Sequence, residues 1–274
     1  MNRALVLLVA LSGLAGLASA KSALIVDDGT ALVLGSEAIL SARLVNAGYT
    51  VTTNNGIPSG SLSGYAQAWD LRFVTALTGG EITSWMTYLT GGGSLFLLGE
   101  NQAFLTRDNS FIPLFTAAGG GAVSISQTAG SIDAQTVRAP FTGPVSFPSM
   151  TYAAAGAYTA FGNARLITVD ANGAAAGIVF PPGSLTNAPT GTLLSVLDYN
   201  FLTAGNGNSQ ALTDNLISYL GAPTAIAPLS GAPAPAPTTG AVGAPALGEW
   251  GLIGLTGLLL AFGALQLKRN SQAS

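Results

Sequence analysis

Chemistry in this chain has to come from carboxylates. Cysteine and histidine are both absent from its 274 residues, which removes Cys-His and Ser-His-Asp nucleophile systems, His-ligated zinc and disulfide stapling. An oxygen-rich set remains at the ends of apolar runs: Asp27 and Asp28, Glu100 and Asn101, Asp198 and Asn200. Paired carboxylates are an acid/base kit, and carboxylate and amide oxygens also hold a hard cation such as calcium or magnesium, or bond sugar hydroxyls. The same residue types at strand ends serve equally as caps and turn formers. Two readings therefore stand side by side: a ligand-binding cluster of Asp27, Asp28, Glu100, Asn101 and Asp198, or local backbone work. No residue is assigned a catalytic role.

Other polar and aromatic features read more plainly. Arg107-Asp108-Asn109 predicts a helix start with Asp108 or Asn109 as cap and Arg107 as a local ion-pair partner. Gly119 to Gly121 precedes a strand with no following Lys, so it reads as a permissive turn and not a phosphate loop. Trp69, Tyr152 and Tyr199 are candidates to stack on sugar rings, although Trp69 lies in an apolar run and reads as core.

The elements that would position these residues follow from periodicity. Strands are predicted at 22–27, 48–53, 68–74 and 94–99, and helices at 36–47 and 81–89. Later strands are predicted at 122–126, 165–169, 177–180 and 192–198, with a closing helix over 208–220. In open α/β sheets, ligands sit outside the carboxyl ends of the strands, where the acids fall. The alternation in the first half predicts an α/β fold with a doubly wound, mostly parallel sheet. Residues 127–162 fit that scheme worst and read as an inserted hairpin or lid.

Charged residues make up 8% of the chain. Between residues 21 and 246 six basic residues, Lys21, Arg43, Arg72, Arg107, Arg138 and Arg165, face eleven acidic ones. Such a body lacks the positive footprint that phosphate backbones require, so no nucleic-acid partner is expected.

The two ends carry address patterns. Arg3, an apolar stretch, and Ala18-Ser19-Ala20 predict a secretory signal over 1–20, cut after Ala20 by signal peptidase. An α/β domain is expected over 21–222 and an extended Ala/Pro/Gly/Thr-rich linker over 223–244. Residues 250–267 are uncharged, mostly apolar and followed by Lys268-Arg269, which predicts a transmembrane helix with those cations as its cytoplasmic stop.

Two resemblances add to this reading. Pro245, Leu247, Glu249, Trp250 and Gly251, followed by the apolar stretch and basic end, resemble the IPTL-CTERM sorting signal over 245–274, a relative of PEP-CTERM tails on exported proteins of Gram-negative bacteria. The departures from that family lie at Ala244, Ala246 and Gly248. The resemblance implies handling by an exosortase-like enzyme, an initial anchor in the inner membrane and an extracellular polysaccharide as a possible partner. The strand 22–27, Leu97-Leu-Gly-Glu-Asn101, and Leu197-Asp-Tyr-Asn200 before Asn215–Leu220 resemble a class I glutamine amidotransferase-like, flavodoxin-like domain, including the trehalose-utilisation-protein type. That family's turn cysteine is here Glu100, and its late histidine is missing, so amidotransferase hydrolysis is not expected.

The function expected is that of an exported protein of the cell envelope, cell surface or extracellular space, with a non-catalytic binding or assembly domain. A carbohydrate-active or metal-assisted hydrolase using Asp and Glu, and a structural surface or matrix component, are the alternatives. No cofactor is expected beyond calcium or magnesium at the acidic cluster.

Overall fold

The computed structural model describes residues 21–227 apart from 73, 127–132 and 203–208. The chain opens with β1 (Lys21–Asp27), whose residues from Ala23 onward are all buried. An apolar run of this kind is stable only with neighbours on both sides and cover on both faces. It has both: β2 (Tyr49–Asn55) and β3 (Gln67–Asp70) flank it in parallel, and helix α1 (Ala31–Asn46) links β1 to β2. Helix α2 (Gly79–Thr90) starts in a capping box, with Thr78 accepting from the Glu81 amide while Glu81 accepts from the Thr78 amide. That satisfies amides the first helical turn leaves open. Strand β4 (Ser94–Gly99) follows, buried throughout. Two short helices, α3 (Leu105–Asn109) and α4 (Phe111–Ala117), lead into β5 (Val123–Ser126).

From there strands dominate: β6 (Ala134–Val137), β7 (Ser149–Thr151), β8 (Ala157–Phe161), β9 (Arg165–Val169), β10 (Gly177–Phe180) and β11 (Thr192–Leu197). Helix α5 (Ser209–Gly221) closes the described fold. The main sheet has nine strands in the order β2-β1-β3-β4-β11-β10-β9-β6-β7, and β5 pairs with β8 in a separate two-stranded ribbon. One face packs Leu40, Leu44, Leu212 and Leu216 against Trp69 and Phe96, whose ring centroids are 4.5 Å apart. The other packs Trp85, Leu89, Phe111 and Phe115 against Leu24, Leu95 and Leu97.

The mostly parallel, doubly wound, flavodoxin-like or amidotransferase-like sheet expected from the sequence is corrected here. Ladders are parallel from β2 to β11, but β11–β10, β10–β9, β9–β6 and β6–β7 are all antiparallel. The sheet is mixed, and its second half is joined by hairpins and loops instead of helical crossovers. β10 misled the reading because every residue of Gly177–Phe180 is buried, and a strand covered on both faces shows no alternation that would betray its direction.

The expected transmembrane helix is also corrected: among the described residues no helix is long and apolar enough to cross a membrane. Residues 250–267 themselves lie outside the described residues, as do the signal over 1–20 with Ala18 and Ala20, the sorting motif from Pro245 to Gly251, and Lys268-Arg269. Nothing among the described residues lends those segments support. Ile226, in the segment read as linker, packs against the core and accepts a bond from Arg165 Nε at 3.3 Å.

Candidate functional site: a buried acidic edge

Each central parallel strand delivers an acid to its carboxyl end: Asp27 from β1, Asp70 from β3, Glu100 from β4 and Asp198 from β11. Strands stand roughly 4.8 Å apart, so sheet order decides which acids meet. Glu100 and Asp198 follow the paired residues Gly99 and Leu197 and are neighbours. Asp27 lies two strands from Glu100 across β3, so the cluster expected from sequence is split.

At the β1 end the acids do turn work. Asp27 Oδ1 accepts from the Gly29 amide at 2.8 Å, and Asp28 Oδ1 accepts from Thr30 at 3.1 Å. Gly29 has φ +72, a left-handed conformation glycine adopts without strain. Asn101 caps the short 3-10 turn Gln102–Phe104 through the Ala103 amide at 3.0 Å.

The β4–β11 end differs. Glu100 and Asp198 are buried, at 2% and 0% exposure. Asp198 accepts from the amides of Ala153 (2.8 Å), Ala154 (3.4 Å) and Asn200 (2.7 Å). Glu100 accepts from its neighbour Asn101 at 3.1 Å. Burial pushes the Glu100 carboxyl up to about 9, and the charges of Asp198 and Asp108 push the same way. Burial also raises Asp198, but three amide donors oppose it. Donors to a carboxylate favour its charged form, so burial acts more fully on Glu100 than on Asp198. The loop Ala153–Gly156 lies along this edge: the Gly156 amide donates to Leu197 O at 2.7 Å. A Cβ on Gly156 would lie 2.5 Å from Glu100 O.

Beside this pair lies an ion network that sequence reading missed. Asp70 and Arg107 are fully buried and 3.0 Å apart. That contact is a charge pair without hydrogen-bond geometry, since Arg107 Nη2 has no hydrogen-bond partner. Arg72 bonds Asp70 through Nε (3.0 Å) and Nη2 (2.7 Å) and reaches Glu81 with Nη1. Burial alone would raise the Asp70 carboxyl, but the two guanidinium groups outweigh it and hold it below its ordinary value. Arg107 also donates to Thr75 O at 2.9 Å and stacks 4.6 Å over the Phe111 ring. It is a long-range partner, not the local one expected. Asp108 does not cap its own helix. It accepts from the Glu100 amide at 3.0 Å, and burial raises its carboxyl to about 7 against that bond and Arg107. The signal was present in Asp70 itself: an acid inside the apolar run Ala68–Leu71 demands a buried cation.

Among the described residues no group of three or more His, Cys, Asp or Glu is placed to hold a metal ion. Neither of the two best-formed cavities is lined by Glu100, Asp108 or Asp198: both open at the amino end of the parallel strands, with volumes of about 300 and 500 Å³. Trp69 bonds Gln67 Oε1 at 2.8 Å within the core, and Tyr152 is buried against Thr168. Neither can stack on a ligand. Tyr199 is half-buried beside Glu100.

No family model matches the chain, and no curated protein matches it in sequence. Among solved structures it is similar to the mmIFT52 N-terminal domain, with a TM-score of 0.58 and 10% identity over 72% of this chain and 96% of that one. It is also similar to the exo-beta-1,4-mannosidase Op5Man5 from Opitutaceae bacterium strain TAV5 (TM-score 0.48, 11% identity, 74% of this chain and 36% of that one). A ThuA-like protein from Parabacteroides merdae gives a TM-score of 0.49 at 13% identity, over 76% and 92% of the two chains. The first likeness is one of fold alone, and the other two are more distant still.

Proposed function

We propose that this is an exported bacterial surface protein whose sheet domain works by binding or assembly at the cell envelope, without catalysis of its own. The observation that carries this reading is the internal use of the carboxylates. Asp27, Asp28, Asp108, Asp198 and Glu100 each accept backbone amides of this chain, and Asp70 is held by Arg72. A general acid must reach the atom it protonates, and a group 2% exposed does not. The export half rests on the sequence pattern alone: Arg3, the apolar stretch after it and Ala18-Ser19-Ala20 before Lys21.

The test uses the full chain expressed in a Gram-negative host. The protein is expected in the envelope or medium, with Lys21 at its N-terminus. Purified protein is expected to co-sediment with envelope fragments, and Glu100→Gln to co-sediment equally. Recovery from the cytoplasm with Met1 intact overturns the export half. Loss of co-sedimentation in a folded Glu100→Gln variant overturns the purely internal role given to the Glu100 carboxyl, while release of sugar from envelope polysaccharide by the wild type but not by the variant overturns the non-catalytic half.

A further inference from the structure

The smaller of the two cavities, about 300 Å³, sits between the loop before β3 and the C-terminal end of α2. Its size is at the lower end of the range for small-ligand sites. The loop is rich in glycine and serine and is fixed from beneath by Leu62, which is 6% exposed, with Ile57 and Tyr65 packed on the same core. It is therefore a held surface.

None of the residues lining this groove carries a charge. Its hydroxyl-bearing residues are Ser61, Ser63, Tyr65, Ser84, Thr87 and Tyr88, the last already donating to Tyr65 O at 3.1 Å. Ser84 and Thr87 already donate to carbonyls one turn back, Gly80 O at 3.2 Å and Thr83 O at 3.0 Å. Between Ser61 and Ser63 one hydroxyl hydrogen bridges the two oxygens at 2.9 Å, and the second hydroxyl can both donate and accept. A hydroxyl whose hydrogen is committed offers lone pairs, so the groove presents acceptors. The amides of Gly91 and Gly92 are likewise committed, to Thr87 O and Leu89 O, and the negative end of the α2 dipole lies here. Anions find no cation here. Tyr65, half-buried, has one part against the core and another lining the groove, which suits stacking on a flat ligand face.

We infer that this groove at the amino edge of the sheet binds an uncharged saccharide unit, with Tyr65 stacking on a ring face and Ser61, Ser63, Ser84 and Thr87 accepting from its hydroxyls. A neutral sugar combines what the groove selects for: many O–H donors, no charge and an apolar ring face. This names the ligand class of the binding domain and rests on the binding reading above.

Purified full-length protein is titrated with cellobiose, mannobiose and chitobiose, and separately with digalacturonate and choline, while backbone amide resonances are followed. At least one neutral disaccharide is expected to shift the amides of residues 61–65 and 91–93, with digalacturonate and choline leaving them in place. Tyr65→Ala is expected to weaken that binding about tenfold or more. Thr87→Val, an exposed helical position that leaves the core intact, is expected to weaken it severalfold at an unchanged melting temperature. No shift with any neutral disaccharide, shifts confined to other residues, or a response to the anion or cation instead would each overturn the inference. Envelope co-sedimentation by the same preparation separates the two claims: if it persists without disaccharide binding, this site falls and the binding domain stands.

Discussion

Glu100 and Asp198 leave adjacent parallel strands side by side, one residue past the pair Gly99 and Leu197, and the loop Ala153–Gly156 touches the main chain of the first and the carboxylate of the second. Two like groups in that position cannot both ionise cheaply. The rise that burial and these neighbours give Glu100 makes the domain's stability pH-dependent with a defined sign.

Glu100 goes from its ordinary 4.5 unfolded to about 9 folded. A carboxyl raised by folding stabilises fully below its unfolded value and loses that contribution as pH rises through the folded one. Stability in urea is therefore expected to fall between about pH 5 and 9, with a slope of up to about 1.4 kcal/mol per pH unit from this group. Asp108, raised to about 7, adds to the fall in the lower part of that window. Glu100→Gln, which keeps a neutral side chain of the same shape, is expected to flatten the upper part and to exceed the wild type in stability at pH 8. An unchanged slope refutes the assignment.

Gly156→Ala is expected to destabilise by about 1–3 kcal/mol, because its methyl group meets Glu100 O at 2.5 Å. Pushing the loop outward admits water to the carboxyl pair, so carbon-detected titration of Glu100 is expected to move toward the ordinary carboxylate range.

Arg107→Met is expected to cost about 3–5 kcal/mol in chemical denaturation, since it removes a buried partner of Asp70. Combining it with Asp70→Asn is expected to cost less than the sum of the two single changes. Strict additivity would show that the two side chains do not act as a pair.

Calcium or magnesium at millimolar concentration is expected to leave the melting temperature where a chelator leaves it. Burial favours the uncharged form of Glu100, Asp198 already accepts from three backbone amides, and among the described residues no three acids converge. A concentration-dependent rise would reveal a site by mass action.

Much of the parallel half was legible in the sequence. Ser94–Gly99 and Thr192–Leu197 are apolar runs with one plausible role, and the predicted closing helix over 208–220 corresponds to Ser209–Gly221. The reversal after β11 was not legible, because β10 is buried on every residue and carries no directional mark. Nor could local pattern tell that Arg107 reaches Asp70, 37 positions earlier in the chain, or that Asp108 turns back to the Glu100 amide. Those contacts depend on strand order. The same order separates Asp27 from Glu100, which the alignment of strand ends alone had grouped.

The position of β11 bears on the timing of folding. It lies between β4 and β10, and Thr192 pairs with Ser94. The middle of the sheet is therefore delivered last among its strands, after every other strand has left the ribosome. Until then β4 has an open edge and the antiparallel half has nothing to join. Closing such a distant pairing is entropically slow. The complete sheet therefore cannot close until Thr192–Leu197 has been made, whatever the earlier strands have already formed.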